Sequence, residues 1–124
     1  MAGVSFDTGV LVALERREQG AWAWMRRASE RGVPPLVSTA ALVEAWRGSR
    51  QTWLAEALAG CEIAPVSDAL ARAAGVACGA TGAAAIDAVI AATAAARGAT
   101  ILTADAGDMH ALAGHFRSLR VVSL

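Results

Sequence analysis

Ala84-Ala85-Ile86-Asp87-Ala88-Val89-Ile90-Ala91-Ala92 carries the single charge between Arg72 and Arg97. The run has the composition of a buried helix, and it continues to Arg97, where Gly98 closes it. Directly beyond lies Thr100-Ile101-Leu102-Thr103, a strand by its β-branched content, with Asp105 standing past its end. A helix delivered into a strand is the signature of an α/β fold. The lone carboxylate needs its own explanation. Asp is a poor helix former in a helix interior, and burying an unpaired charge costs on the order of several kcal/mol. The fold must therefore compensate Asp87.

The same alternation extends in both directions. Val4–Phe6 reads as a strand, followed by helices over about Thr8–Glu18 and Ala21–Arg31, with Gly32 and Pro34-Pro35 as the stop. Leu36–Ser38 is a second strand, and Ser38 or Thr39 caps a helix carrying Leu42, Val43 and Trp46. Gly48-Ser49 breaks that helix, and another covers Gln51–Ala59. Glu62–Ala64 is a third strand, ending at Pro65. Ser67-Asp68 caps a helix to about Cys78, Gly79–Gly82 is a loop, and the Asp87 helix follows. Asp105–Ala113 reads as a short helix and Arg120–Ser123 as the last strand. Strands alternating with helices or helix pairs argue for a parallel sheet with helices on both faces. The 124 residues suggest one domain over 1–124, with no linker, repeat or low-complexity tail.

Composition excludes several classes. Apolar residues make up 56% and the net charge is zero, so the chain is neither disordered nor a polycation. All eleven basic residues are arginine; lysine, asparagine and tyrosine are absent. Chemistry that needs a lysine is ruled out, and no Gly-rich phosphate loop appears. A haloacid-dehalogenase-like phosphatase needs a lysine and a second Asp where Gly9 stands, and a receiver domain also needs a lysine. Cys61 and Cys78 match no zinc spacing and read as free thiols of a cytoplasmic protein. No signal peptide is evident. Ala73–Ala96 is long enough to span a bilayer, but Gly75, Gly79, Gly82 and Asp87 interrupt it, so no membrane span is expected.

Three further acids stand where strands end and helices begin or run: Asp7 after Val4-Ser5-Phe6, Glu44 in Ala41-Leu42-Val43-Glu44-Ala45-Trp46, and Asp105. In parallel sheets, functional groups gather at the carboxyl ends of strands, near the point where strand order reverses. Each acid also has a plainer role. Asp7 and Asp105 are natural helix caps, Asp108 complements a helix dipole, and Glu44 can pair with Arg47 one turn on. Taken together they form a hard-oxygen set. Clustered carboxylates repel unless a divalent cation joins them, and Mg²⁺ takes such ligands and can activate water at a phosphodiester. His110 and His115 fit no metal pattern and read as surface or interface residues.

The ordered set Val4-Ser5-Phe6-Asp7-Thr8, Glu44, Ile86-Asp87-Ala88-Val89-Ile90-Ala91-Ala92-Thr93-Ala94 and Leu102-Thr103-Ala104-Asp105-Ala106-Gly107-Asp108 resembles the PIN-domain ribonucleases, and in size the toxins of VapBC-type toxin–antitoxin pairs. The resemblance covers essentially the whole chain. It implies a three-layer α/β/α sandwich with a five-stranded parallel sheet, usually dimeric. It implies Asp7, Glu44, Asp87 and Asp105 as the catalytic quartet binding Mg²⁺ or Mn²⁺, with Asp108 an additional metal-binding acid and Thr8 and Thr103 as polar helpers. The implied partners are an RNA substrate, a cognate antitoxin and a second copy of the chain. The competing implication is a PIN-like binding module without catalysis. Many members carry a basic residue where Ala104 stands, so RNA contacts would come from elsewhere. Arg16, Arg17, Arg26, Arg27 and Arg31, interleaved with Glu15, Glu18 and Glu30, and Arg47 and Arg50 near Glu44, read either as a solvated mixed-charge surface or as an RNA-facing strip. Of the four tryptophans, Trp22 and Trp24 are two apart and cannot both be fully buried by one helix face. Core packing and an exposed groove for an antitoxin segment are the two readings for them.

Overall fold

The computed structural model describes residues 3–124. Five strands form one sheet: β1 (Val4–Phe6), β2 (Leu36–Ser38), β3 (Glu62–Ala64), β4 (Thr100–Thr103) and β5 (Val121–Ser123), all parallel, in the order β3-β2-β1-β4-β5. Seven helices connect them: α1 (Thr8–Glu15), α2 (Gln19–Arg31), α3 (Thr39–Ala45), α4 (Thr52–Ala59), α5 (Asp68–Thr81), α6 (Ala85–Arg97) and α7 (His110–His115). From β1 the chain steps outward through β2 to β3, then returns to lay β4 on the other side of β1. Right-handed crossovers place α1–α4 on one face and α5–α7 on the other. The strand order reverses between β1 and β4.

Local chemistry sets the helix ends. Asp7, Ser38 and Ser67 accept hydrogen bonds from the first-turn N–H groups of α1, α3 and α5. Gly32, Gly82 and Gly98 end α2, α5 and α6 in the left-handed conformation, which glycine adopts without a Cβ penalty. The central strands β1, β2 and β4 are covered on both sides. Phe6, Val37, Ile101 and Leu102 are fully buried, as parallel strands between helical layers should be. Against them pack Val10, Leu11 and Leu14 of α1 and Ala88, Ile90, Ala91, Ala92 and Ala94 of α6. The alanine richness of α6 is thus spent on close approach of helix to sheet.

Several boundaries differ from the sequence reading. Helix α1 stops at Glu15, because Arg17 takes a left-handed φ of 62° and turns the chain into α2. Helix α3 ends at Ala45, so Trp46 lies at its extended C-cap and not within the helix. Helix α5 runs through Gly79 to Thr81, and the expected Gly79–Gly82 loop shrinks to the turn at Gly82. The segment after β4 splits into a 3-10 turn at Ala106–Met109 and the separate helix α7. No single helix among the described residues is long and apolar enough to cross a membrane; α5 and α6 are bent 120° from one another and pack together.

Candidate active site at the sheet switch point

Two strands deliver acids to the place where the strand order reverses. Phe6 pairs with Leu102, so Asp7 and Thr103 stand side by side at the carboxyl ends of β1 and β4, and the Asp7 N–H donates to the Leu102 carbonyl at 3.1 Å. Asp7 is buried, with 8% of its surface exposed. One carboxylate oxygen accepts the Val10 N–H at 3.2 Å, and the other accepts the Thr103 hydroxyl. The same hydroxyl accepts the Asp105 N–H at 3.0 Å. Asp105 in turn caps the 3-10 turn through the Gly107 N–H at 3.1 Å, and Asp108 lies within that turn. The expected capping roles of Asp7 and Asp105 therefore hold, and they orient both residues at the site.

Glu44 reaches the site from α3. Its Oε1 accepts the Thr8 hydroxyl at 2.7 Å, tying α3 to the first turn of α1. The alternative pairing with Arg47 is not formed: that guanidinium donates to the Val43 and Trp46 carbonyls, at 3.0 and 2.9 Å. Asp87 sits in the first turn of α6 and not in its interior, because the helix begins two residues earlier at Ala85. There the helix dipole favours a negative charge, which answers part of the cost read from the sequence.

The electrostatics link the five acids. The Asp87 carboxyl is held above its ordinary value of 3.8, first by burial and then by the negative charges of Asp108, Glu44, Asp7 and Asp105. Asp7 is also raised, because burial outweighs the hydrogen bonds that favour its charged form. The ion pairs among the described residues, Arg72–Asp68 and Arg97–Glu62, lie elsewhere. The structure therefore gathers Asp7, Glu44, Asp87, Asp105 and Asp108 into one region of uncompensated negative potential. Among the described residues, no three such side chains converge closely enough to cage a bare ion. The donor set still suits a hard cation that keeps part of its water shell, as Mg²⁺ does.

One feature of the site escaped the sequence reading. A Cβ built on Gly9 would lie 2.7 Å from the Ala104 Cβ, so the first turn of α1 and the turn after β4 touch at small residues. The signal available in the sequence was a glycine in a helical first turn, directly after Asp7-Thr8, where helix propensity disfavours it.

Other expectations resolve away from this site. Trp22 and Trp24 are half-buried and pack against the core, which supports the packing reading. Trp22 donates its indole N–H to the Leu14 carbonyl at 3.0 Å. Each nonetheless borders a surface cavity, of about 440 Å³ for Trp22 and about 270 Å³ for Trp24. Cys61 is a half-buried free thiol, pushed up to about 12 by desolvation, in line with an inert residue. His110 and His115 are exposed, the latter edge-on to Phe116.

Solved structures share this architecture. The chain superposes on VapBC2 from Rickettsia felis bound to a promoter DNA fragment with a TM-score of 0.74 and 15% identity, covering 98% of each chain. For a toxin–antitoxin complex from Klebsiella pneumoniae the TM-score is 0.74 with 22% identity, covering 97% of this chain and 96% of the other. DNA-bound VapBC from Salmonella typhimurium gives 0.71 and 15%, covering 99% and 98%. At these identities the likeness is one of fold. No curated protein matches the chain by sequence. The PIN domain family model matches residues 4–114, which span every acid of the site and all strands but the last. With a five-stranded parallel sheet and its acids at the switch point, the chain belongs to the PIN-domain family.

Proposed function

We propose that this chain is a metal-dependent endoribonuclease, the toxin of a toxin–antitoxin pair. The observation that carries the reading is Asp87, a half-buried carboxyl that feels the negative charges of four other acids and has no ion-pair partner among the described residues. A divalent ion removes that repulsion, and Asp7, Glu44, Asp87 and Asp105, with Asp108 beside them, are the residues to hold Mg²⁺ or Mn²⁺. When bound, such an ion stabilises charge on a phosphodiester and activates water for its hydrolysis.

The chain's own groups prepare the site. Thr103 holds the Asp7 carboxylate and the Asp105 backbone together, and Thr8 holds Glu44. Both threonines fix carboxylate direction without adding charge, the usual task of residues behind a metal ligand. The toxin reading draws on structures described as toxin–antitoxin complexes, whose fold this chain shares along nearly its full length. On that reading the partners are an antitoxin protein and a second copy of the chain, in the cytoplasm. The unconverged carboxylates favour a second reading, a PIN-like module that binds without cleaving.

The test is RNA cleavage by purified protein at saturating Mg²⁺ and Mn²⁺. Asp7→Asn and Asp87→Asn should each reduce cleavage by at least about a hundredfold, as loss of a ligand or its positioning does. Asn caps a helix as well as Asp does, so Asp7→Asn retains the start of α1. Undiminished cleavage by either variant would overturn the assignment. Absence of cleavage by wild type, together with no calorimetric Mg²⁺ binding, would establish the binding module.

A further inference from the structure

We propose that the turn between α3 and α4, together with the C-terminal end of α1, is a contact surface for single-stranded RNA. The Trp46 indole is its stacking platform, and the Arg17 and Arg47 guanidinium groups are its phosphate contacts. The proposal rests on the ribonuclease reading and adds how the substrate is held beside the acids.

Arg17 is the first observation. Among the described residues it is the one non-glycine with a positive φ, at 62°. Glycine occupies that conformation without the steric cost an L side chain incurs. Such outliers concentrate at functional positions. The side chain placed there is not idle: its guanidinium lies 4.5 Å over the Trp53 ring. Trp53 is braced by Trp22, edge-on with ring centroids 6.2 Å apart, and Trp22 is fixed in turn by its bond to the Leu14 carbonyl. The cation is thereby pre-oriented, which lowers the entropy lost when it meets an anion.

Arg47 is the second. Its Nη1 donates to the Val43 and Trp46 carbonyls, so one edge of the guanidinium is anchored at the end of α3. The other donors of the fork are left for a ligand. Neither Arg17 nor Arg47 takes part in an ion pair with a described residue. Trp46, next to Arg47 in the same turn, is 38% exposed and offers a large indole surface beside that guanidinium.

We take these groups as one ridge, because the elements that carry them are tied together. Gln51 donates to the Ala45 carbonyl at 2.9 Å and accepts the Arg47 N–H, which fixes the turn. Glu15 accepts the Leu54 N–H at 2.7 Å, which fastens the start of α4 to the end of α1. At the opposite end of α1, Thr8 holds Glu44. By helical rise the two ends are about 10 Å apart. Trp46 follows Glu44 by two positions, so the ridge begins beside the acidic site. Exposed aromatic rings interleaved with free guanidinium groups suit a strand with accessible bases and a charged backbone. A duplex hides its base faces and cannot use the indole.

The experiment uses the Asp87→Asn protein, which should bind without cleaving, and fluorescence anisotropy with a short, unstructured, fluorescein-labelled RNA. The same RNA annealed to its complement is the comparison. Single-stranded RNA should bind more tightly than the duplex, with affinity falling as salt rises. Trp46→Ala and Arg17→Gly should each weaken binding by about tenfold. Arg17→Gly should also raise the melting temperature by relieving the left-handed side chain, so that lost binding cannot be ascribed to lost folding. Arg72→Ala, whose partner is Asp68 on α5, should bind like the parent. If Trp46→Ala and Arg17→Gly retain full RNA affinity while wild type cleaves RNA, the surface is refuted and the nuclease reading stands. Retained RNA affinity with weakened binding of a co-purified protein partner would make the ridge a protein-docking face instead. If the parent binds no RNA and wild type cleaves none, both readings fall.

Discussion

The Thr103 hydroxyl donates to the Asp7 carboxylate and accepts from the Asp105 N–H, so one side chain at the end of β4 sets the direction of acids delivered by two strands. The bond crosses the boundary at which the strand order reverses, and only the pairing of Phe6 with Leu102 brings the two residues level.

Thr103→Val keeps the shape of that side chain and removes its hydroxyl. A hydrogen bond to a charged group contributes about 1.5–3 kcal/mol, and Asp7 retains its Val10 bond, so the loss of stability should be about 1–2 kcal/mol by thermal melt. Cleavage should fall further than that, because Asp105 loses its orienting contact as well. The Asp7 pKa should rise, moving the acid limb of the pH–rate profile to higher pH. A profile unchanged from wild type would remove Thr103 from the site.

Gly9 and Ala104 should behave as a coupled pair. Gly9→Ala gains about 1 kcal/mol of helix propensity, but its Cβ meets the Ala104 Cβ, and overpacking costs about 1–3 kcal/mol. The single variant should lose stability and Mg²⁺ affinity together, since the strain falls between Asp7 and Asp105. In an Ala104→Gly background the same substitution should become neutral or stabilising. A double-mutant cycle measures this; strictly additive effects would show that the two turns are not in contact.

The clustered acids should make the metal-free protein sensitive to pH in an uncommon direction. Asp7 and Asp87 hold protons to higher pH in the folded chain than at their ordinary value of 3.8. Between 3.8 and the raised values the folded state binds more protons, so stability falls as pH rises. In EDTA the melting temperature should therefore climb as pH is lowered through the raised values toward 3.8. Asp87→Asn should melt higher than wild type in EDTA at neutral pH, with a flatter pH profile. Mg²⁺ should stabilise wild type by binding its folded state and stabilise Asp87→Asn much less. A variant that melts lower in EDTA and keeps the full Mg²⁺ shift would show Asp87 to be a structural residue.

Ser5 offers a gain in stability. Its Oγ is fully buried in β1 and is the one buried side-chain polar atom without a partner among the described residues. Ser5→Ala removes the unsatisfied hydroxyl and should stabilise by about 1 kcal/mol, or about 4 °C in melting temperature. Destabilisation instead would show that ordered water satisfies the hydroxyl.

The strand positions, the helix-before-strand rhythm and the acids at strand ends were legible in the chain, because each rests on local chemistry. Thr100-Ile101-Leu102-Thr103 is β-branched and bounded by turn signals, Ser67 and Asp7 are caps by side-chain type, and Gly98 closes α6. The resemblance to PIN domains rested on the order of those acids, and the family match over residues 4–114 agrees with it. Helix ends were less legible. Gly79 continues α5 because tertiary packing outweighs the intrinsic cost of glycine, and Arg17 ends α1 in a conformation no arginine advertises.

What only the tertiary structure decided is which groups meet. Nothing local distinguishes Thr8 as the partner of Glu44, 36 residues away, from Arg47, which is one turn away and turns to backbone carbonyls instead. Nothing local reveals that Gly9 rests on Ala104 or that Thr103 serves Asp7 and Asp105 together. The negative potential at Asp87 is likewise a sum over residues from β1, α3 and the turn after β4. The sequence determined the acids and the elements that carry them. Their placement in one region follows from strand register and the reversal of strand order, which arise when distant segments bury a shared core.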